Sequence, residues 1–123
     1  MDRLAAILVI RDIDPAIWPN RQKITEGLIQ AVRQEETGTD VGAVACALGR
    51  VGPDARDAVP ALTALLAAPF SYHRAEAAVA LWRIEHRTNL LPVLRRELNR
   101  VPFGPTRSRM RVAVAEIEGG QSR

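Results

Sequence analysis

The chain has 123 residues, of which 47% are apolar, 25% are charged and 4% are aromatic, and its net charge is +3. The length fits one domain with a small core, and the composition is typical of a globular protein built from closely packed helices. The single cysteine, Cys46, excludes an intramolecular disulfide, and we interpret it as a small buried side chain.

The charge is unevenly distributed along the chain. Residues 1–72 carry 7 basic and 9 acidic side chains, whereas residues 73–123 carry 10 basic and 5 acidic ones, which gives the second half a net charge of +5. This basic half is mostly arginine. It favours an anionic partner, or it forms the solvated outside of helices in an arginine-rich proteome.

The first twelve residues, MDRLAAILVIRD, contain an apolar run that is too short to span a membrane. No small-residue cleavage site of the kind found in signal peptides follows it. We therefore expect a cytoplasmic protein that does not contact a membrane. The stretch RLAAILVI predicts a lone helix at residues 3–11.

Helical patterns and helix breakers divide the rest of the chain. Six further helices are predicted, at residues 20–35, 40–51, 55–68, 72–87, 89–100 and 107–118. Gly52-Pro53, Pro69 and the VPFGPT run at 101–106 separate them. Asn20 and Thr106 stand where helix caps are expected. No strand pattern of period two competes with these helices, so the predicted fold class is all-α.

Three of the helices carry the same inward pattern at a constant interval along the chain. Apolar side chains spaced by 3, 1 and 3 positions define one face of a helix. The three sets are Val44, Ala47, Leu48 and Val51; Ala77, Ala80, Leu81 and Ile84; and Met110, Ala113, Val114 and Ile117. One helix pair cannot bury its apolar stripe alone. The repetition therefore predicts stacked layers with one shared core that contains Leu48, Leu81 and Val114.

A second unit recurs between these helices. Asp57 stands three residues before Pro60, and Asn89 stands three residues before Pro92. A short side-chain acceptor at the N-cap followed by proline in the first turn suits the start of a helix, because the first N–H groups have no partner within it. A longer helix with a proline kink is the alternative.

Residues 40–85 resemble bacterial HEAT repeats of the type also found in phycobilisome-lyase-like proteins. The resemblance rests on Ala-Leu-Gly-x-Val-Gly at 47–52, Pro-Ala-Leu at 60–62 and Arg-x-x-Ala-Ala at 74–78. It departs from the family pattern at Trp82, where glycine is usual, and at the VPFGPT run, where a short turn is usual.

The resemblance implies a short right-handed α-solenoid of antiparallel helix pairs in a single domain spanning residues 1–123. This domain would have about three HEAT-like repeats and an N-terminal half-repeat. Residues 1–38 would form a divergent cap, residues 39–118 the regular repeats and residues 119–123 a disordered tail. HEAT arrays serve mostly as protein-binding scaffolds, and a few bind nucleic acid or act on bilins or DNA bases.

Four residues are candidates for binding a partner protein. Trp82 would be a binding hot spot if it is partly exposed, or it would pack over Gly49 and fill the space of the missing side chain. Arg50 and Arg83 occupy equivalent positions in neighbouring layers, so they would bind acidic groups of a partner or form ion pairs between layers, for example with Glu116. His86 is the fourth candidate, near the end of the same predicted helix as Trp82.

Three further arginines form a candidate anion site. Arg107, Arg109 and Arg111 open the last predicted helix, where cations are unfavourable to the helix dipole. A bound anion would reconcile these charges with the free N–H groups of the first turn. The alternative is a solvated cluster near the chain end.

No motif for catalysis is present in the sequence. His73 and His86 lie at opposite ends of one predicted helix and cannot share a metal within it, and no Ser–His–Asp order or glycine-rich phosphate loop occurs. We therefore predict a non-enzymatic protein without metal or cofactor, and the resemblance to bacterial HEAT repeats implies a bacterial protein–protein interaction module or scaffold. Nucleic-acid or phosphate-ligand binding through the basic half is the alternative, and a lyase-like enzyme accessory is a weaker one. Self-association through exposed solenoid ends is a further expectation.

Overall fold

The structure is a computed structural model that describes residues 14–18, 20–34 and 40–121. All regular structure in these ranges is helical, which confirms the all-α prediction. The α-helices are α1 (Arg21–Gln34), α2 (Val41–Val51), α3 (Val59–Leu65), α4 (Ser71–Glu85), α5 (Leu91–Leu98) and α6 (Pro105–Gln121). A short 3₁₀ helix at Pro15–Ile17 precedes them. The helix predicted at residues 3–11 lies outside the described residues.

Both ends of α2 have clear chemical causes. The Asp40 side chain accepts a hydrogen bond from the Ala43 N–H at 3.0 Å and caps the first turn. The helix ends at Gly52, whose φ of 83° is in the left-handed region that suits glycine. The Gly52 N–H donates to the Leu48 carbonyl, which would otherwise lack a partner.

The predicted caps Asp57 and Asn89 are wrong, and both fail in the same way. Each lies within a 3₁₀ helix, at Gly52–Ala58 or Thr88–Leu90, that leads directly into the following α-helix. Pro60 and Pro92 are each the second residue of that α-helix. The preceding 3₁₀ turn supplies the helical backbone there, so no side-chain cap is needed.

Helix α6 differs from the prediction at both ends. It begins at Pro105, so Thr106 lies inside the first turn and is not the cap. Proline suits this first position because its missing N–H would have no partner within the helix. The helix continues to Gln121, so residues 119–121, which we assigned to a disordered tail, are helical.

The three repeated stripes face one core. All four members of the stripes in α2 and α4 are buried, and in α6 the buried members are Met110, Ala113 and Ile117. Leu48 and Leu81 have no exposed surface, whereas Val114 is only partly buried against the same core. The prediction of one shared core is therefore confirmed, with Val114 at its margin.

Helices α2 and α4 meet with corresponding ends together. The Tyr72 ring, at the beginning of α4, lies against Gly42 at the beginning of α2. Near the other end, Gly49 lies against the backbone of Ala80. Small residues at both points allow the two helix axes to approach closely.

Helices α4 and α6 also meet with corresponding ends together. Glu76 in the first half of α4 pairs with Arg109 in the first half of α6. Trp82 near the end of α4 donates from Nε1 to Glu116 Oε2 in the second half of α6, at 2.7 Å. The two partners in each contact are separated along the chain by close to the interval between the repeated stripes.

A fully buried carboxylate joins α4 to α5. Glu97 has no exposed surface, and the Nε atom of Arg74 lies 2.8 Å from its Oε1. The other guanidinium nitrogens of Arg74 donate to the Ala68 carbonyl at 2.7 Å and to Ser71 Oγ at 2.8 Å. Arg74 therefore neutralises Glu97 and fixes the turn before α4.

We expect Leu81→Ala to lower the free energy of unfolding by about 2–5 kcal/mol, because truncation of a fully buried leucine loses apolar contacts and leaves a cavity. Urea titration followed by circular dichroism measures the change. Val112→Ala is the control, since Val112 is 48% exposed and its truncation should cost less than about 0.5 kcal/mol. Equal losses for the two variants would contradict the position of Leu81 in the core.

We expect Arg74→Met to destabilise the protein by at least about 2 kcal/mol, because it removes the hydrogen-bonded partner of the buried Glu97 carboxylate and leaves it only the longer contacts with Arg100, at 3.5 Å, and Arg96, at 4.0 Å. The matched control is Arg95→Met, which removes the ion pair between Arg95 and Glu118 on the surface. Exposed pairs contribute about 0–1 kcal/mol. Chemical unfolding of both variants compares them, and similar losses would contradict the role assigned to Arg74.

Candidate functional site

Three arginines from three helices line one groove of about 440 Å³. Arg50 comes from the last turn of α2, Arg83 from the last turn of α4 and Arg109 from the first half of α6. We call this cavity the arginine groove. The repeat explains why two of the three arginines lie together. Arg50 and Arg83 occupy the same position in consecutive repeats, on helices that lie side by side.

The floor of the arginine groove is formed by small side chains. An added Cβ at Gly49 would lie 2.9 Å from the Cα and 3.3 Å from the Cβ of Ala80. The same Cβ would lie 3.5 Å from Cδ of Arg83, so the aliphatic part of Arg83 passes over Gly49. Cys46 and Val79 complete the floor one turn away, and both are buried. The absence of a side chain at Gly49 therefore shapes the groove.

Arg50 and Arg83 keep their hydrogen-bonding capacity. Arg50 is exposed and Arg83 is half-buried. Neither forms an ion pair or a side-chain hydrogen bond with any other residue that the structure describes. Asp14 stands on the rim of the groove, but its carboxylate accepts from the Ala16 N–H at 2.9 Å and pairs with neither arginine. With respect to the described part of the chain, the two guanidinium groups have unused donors for an anion.

Arg109 is held from one side by a buried carboxylate. Its Nε lies 3.1 Å from Glu76 Oε1, its Nη2 donates to the same oxygen, and 24% of its side chain is exposed. Burial acts against the charged form, but the hydrogen bond and the charge of Glu76 outweigh it and raise the pKa of Arg109 above its ordinary value. Arg109 therefore stays positively charged where it lines the groove.

The structure does not bring Arg107, Arg109 and Arg111 together at the start of α6. Arg107 donates from Nη1 to the carbonyls of Leu98 and Val101, the latter at 3.1 Å. It thereby satisfies carbonyls at the end of α5. Arg109 turns toward Glu76, and Arg111 is exposed. The three arginines point to different partners, and only Arg109 joins the groove.

Trp82 is not an exposed hot spot. Only 9% of its surface is accessible, and its indole N–H is bonded to Glu116. The three atoms nearest to a Cβ at Gly49 belong to Ala80 and Arg83, so these residues, rather than Trp82, lie closest to the space that glycine leaves open. The bond also corrects the expected pairing of Glu116 with Arg83, because Glu116 binds the tryptophan instead.

His86 lies outside the arginine groove. It ends α4 with a φ of 55°, and its backbone N–H donates to the Trp82 carbonyl at 2.7 Å. Its ring meets the Trp82 ring edge-on with centroids 5.0 Å apart. His86 is exposed, but the contacts that it makes terminate the helix and cover Trp82.

Sequence reasoning missed a pair of exposed aromatic residues. Phe70 and Phe103 are 64% and 81% exposed, and they stand just before α4 and α6. Each follows a proline, and the two Pro-Phe pairs recur at the same interval as the apolar stripes. That interval was the available signal. It went unused because the two loops were interpreted only as breakers.

A second groove of about 500 Å³ lies between α1 and the 3₁₀ helix that precedes α3. Its arginine, Arg21, already donates to the Val51 carbonyl at 3.3 Å and pairs with Asp54 at 3.4 Å. Glu26 and Asp57 also line it. Because its positive charge is already matched by protein groups, this groove is a weaker candidate for ligand binding than the arginine groove.

The described residues lack two further kinds of feature, a metal-ligand cluster and a membrane span. Among them, no three His, Cys, Asp or Glu side chains are grouped to hold a metal ion. In the same part of the chain, no helix has the length and hydropathy needed to cross a membrane.

No protein-family model matches the chain, and neither a curated protein nor a solved structure matches it at a significant level.

We expect Gly49→Ala to destabilise the protein by about 1–3 kcal/mol. The new methyl group would be too close to the Ala80 backbone, and moving that backbone would disturb the packing of α2 against α4. Gly27→Ala is the opposite control. Nothing lies within 4 Å of a Cβ at Gly27, which is inside α1, so alanine there should stabilise the protein by about 0.5–1 kcal/mol. Thermal and urea unfolding measure both changes. A stabilising Gly49→Ala would contradict the close approach of α2 and α4.

Proposed function

We propose that this chain is a HEAT-like helical-repeat protein that acts without catalysis as a protein-binding module. Its arginine groove binds acidic side chains of a partner protein. The observation that carries the proposal is that Arg50 and Arg83, in equivalent positions of neighbouring repeats, line one groove without a partner among the described residues.

The helix contacts support the repeat architecture. Corresponding ends meet between α2 and α4 and between α4 and α6. Opposite ends meet between α4 and α5, where Arg74 near the start of one helix binds Glu97 near the end of the other. Opposite ends also meet between α5 and α6, since Arg107 at the start of α6 binds Leu98 at the end of α5. This set of contacts supports stacked antiparallel helix pairs, and we infer a right-handed solenoid from the resemblance of the sequence to HEAT repeats.

The chemistry of the groove supports an acidic ligand. A guanidinium group presents a planar fork of donors that matches a carboxylate in two-point contact. Arg50 and Arg83 place two such forks beside a floor of small, mostly apolar residues. Partial exclusion of water from this floor strengthens each charge-assisted hydrogen bond relative to bulk solvent.

Binding is favoured over catalysis because of the groups that the groove contains. Guanidinium donors dominate it, and the thiol of Cys46 is only 5% exposed in its floor. A catalytic carboxylate or histidine would have to lie within hydrogen-bond reach of a substrate. Asp14, the carboxylate that the described residues place on the groove rim, is exposed and bonded to a backbone N–H.

The nucleic-acid alternative loses much of its basis in the structure. It uses the arginine-rich C-terminal half, with Arg107, Arg109 and Arg111 as its candidate phosphate contacts. Arg107 and Arg109 are instead bonded within the protein. Arg111 is the exposed member of the three, so these arginines do not present their charges to phosphate groups as one cluster.

A labelled glutamate-rich peptide tests the proposal, with the glutamine version of the same peptide as the neutral probe. We expect Arg50→Glu/Arg83→Glu to weaken binding of the acidic peptide at least tenfold in fluorescence anisotropy at low salt, because two charge-assisted contacts become repulsive. The glutamine peptide should bind weakly to both forms.

The matched control is Arg56→Glu/Arg111→Glu. Both residues are exposed, neither lines the groove, and the change in net charge is the same as in the groove variant. We expect a loss of less than about twofold. Equal losses in the two double variants would show that the peptide responds to overall charge. Tighter binding of duplex DNA than of the peptide would favour the nucleic-acid alternative.

A further inference from the structure

We propose that one edge of the protein docks on an anionic lipid surface. Phe70 and Phe103 insert between the lipid headgroups, and Arg96 and Arg100 bind the negative charges of those headgroups. We call these four residues the aromatic edge, and none of them lines the arginine groove. We expected no membrane contact from the short apolar run near the N-terminus, but a peripheral contact needs no spanning segment.

The loop that carries Phe70 is fixed to the end of α5. Phe70 directly precedes α4. Arg74 donates to the Ala68 carbonyl at 2.7 Å and to Ser71 Oγ at 2.8 Å, on either side of Phe70. The same guanidinium donates from Nε to Glu97 near the end of α5, at 2.8 Å. Phe70 therefore lies at the edge where α4 begins and α5 ends.

The loop that carries Phe103 leaves the same end of α5. It connects Leu98, the last residue of α5, to Pro105, the first residue of α6. Arg107 donates to the carbonyls of Leu98 and Val101, the latter at 3.1 Å, and so holds the loop against the helix end. Both phenylalanines therefore belong to one edge of the protein, on loops that arginines hold in place.

Both rings project from the surface. Phe70 and Phe103 are 64% and 81% exposed. The ring of Phe70 meets the ring of His73 edge-on, with centroids 5.4 Å apart. Neither phenylalanine lines the arginine groove or the groove beside α1. Projecting rings are suited to inserting into a partner rather than to receiving a ligand, because ligand-binding sites in proteins are concave.

The aromatic edge carries positive charge that is not balanced locally. Arg96 and Arg100 have 50% and 52% of their side chains exposed. Buried Glu97 lies 4.0 Å from Arg96 Nε and 3.5 Å from Arg100 Nη1. Glu97 makes its shorter contact with Arg74, so its single negative charge is already matched. Two half-exposed cations thus remain at the end of α5, where both loops meet.

The exposed carboxylates of the neighbouring helices lie elsewhere. Those of α4 and α6 are in the second halves of these helices, toward the opposite end: Glu85, Glu116 and Glu118. At the corresponding end of α2, Asp40 is half-buried and caps its own helix. Among the described residues, the aromatic edge therefore combines exposed rings with net positive charge. Anionic bilayers attract surfaces of this composition.

The exposed area favours a lipid surface over a second copy of the chain. A fully buried aromatic side chain covers about 150–250 Å², so the exposed fractions of Phe70 and Phe103 amount to roughly 200–400 Å². A stable protein–protein interface buries about 800 Å² on each partner. The two rings are too small for that, whereas a bilayer needs no complementary shape and attracts each cation near its surface.

Vesicle sedimentation tests the proposal. Vesicles of phosphatidylcholine with about one third phosphatidylglycerol are compared with vesicles of phosphatidylcholine alone, since only the former carry a negative surface charge. We expect the protein to bind the anionic vesicles at least about tenfold more tightly at low salt, and this preference to fall as the salt concentration rises. Absence of binding to the anionic vesicles would overturn the proposal.

Removal of the rings tests insertion. Phe70→Ser/Phe103→Ser should weaken binding to anionic vesicles at least about tenfold, because serine offers almost no apolar area for burial. The control Val112→Ser changes another exposed apolar residue, inside α6, and should weaken binding less than about twofold. Circular dichroism and urea unfolding check that each variant keeps its fold. Equal binding of the two variants would overturn the role of the phenylalanines.

Removal of the charges tests the headgroup contact. Arg96→Gln/Arg100→Gln should reduce the preference for anionic vesicles at least about fivefold and leave binding to neutral vesicles within about twofold. Arg56→Gln/Arg111→Gln is the control with the same change in net charge, since both residues are exposed and lie outside the aromatic edge. It should keep the preference. An equal loss in the two double variants would show a response to overall charge and overturn the proposal.

Light scattering without vesicles distinguishes a lipid surface from a second copy of the chain. We expect the same mass for the unmodified protein and for Phe70→Ser/Phe103→Ser. A dimer that this substitution dissociates would assign the aromatic edge to self-association and overturn lipid docking. The proposed function is judged separately, by the peptide assay with Arg50→Glu/Arg83→Glu, so the two proposals can fail independently.

Discussion

The close contact between α2 and α4 at Gly49 and Ala80 determines much of this structure. A Cβ at Gly49 would lie 2.9 Å from the Ala80 Cα, a distance that packed side chains do not tolerate. Because the axes approach so closely, Leu48 and Leu81 become fully buried in the same core. The same approach leaves a groove rather than a ridge above Gly49, and Arg83 lies across it. Packing in the core and the shape of the surface thus have one cause.

Two buried glutamates connect the helices that follow. Glu97 and Glu76 have no exposed surface, and each is paired with an arginine of another helix. A buried carboxylate costs several kcal/mol of desolvation, so each needs its arginine in place. The difference between the two lies on the arginine side. Arg74 uses all its guanidinium nitrogens inside the protein, whereas Arg109 remains partly exposed to the groove.

The arginines of this chain fall into two groups: those that bind groups of the protein itself and those that present their charge to the groove. Arg74 and Arg107 bind backbone carbonyls at helix ends, where carbonyl groups lack helical partners. Arg50 and Arg83 are in the last turns of α2 and α4, where the helix dipole favours a cation without any specific partner. Those two positions therefore hold positive charge that no other described residue pairs with, and both line the same groove.

The sequence by itself determined the helices, their inward faces and the constant interval between them, because burial of an apolar stripe imposes a period that is visible in the residues. It also placed Arg50 and Arg83 in equivalent positions. The caps predicted at Asp57, Asn89 and Thr106 are wrong. A 3₁₀ turn or a leading proline begins these helices in place of a side-chain cap, and the residue types in the segment are compatible with either start.

Only the tertiary structure decided which arginines are available and that Trp82 is buried. Arg107, Arg109 and Arg111 follow one another at every second position, yet their surroundings differ. Arg107 donates to two backbone carbonyls, Arg109 binds a buried carboxylate, and Arg111 is exposed to solvent. These partners lie on other helices, and Glu116, which binds the Trp82 indole, is distant from it in the chain. The identity of a residue gives the charge and size of its side chain. The exposure and the partners of that side chain depend on groups that only tertiary packing brings within hydrogen-bond distance.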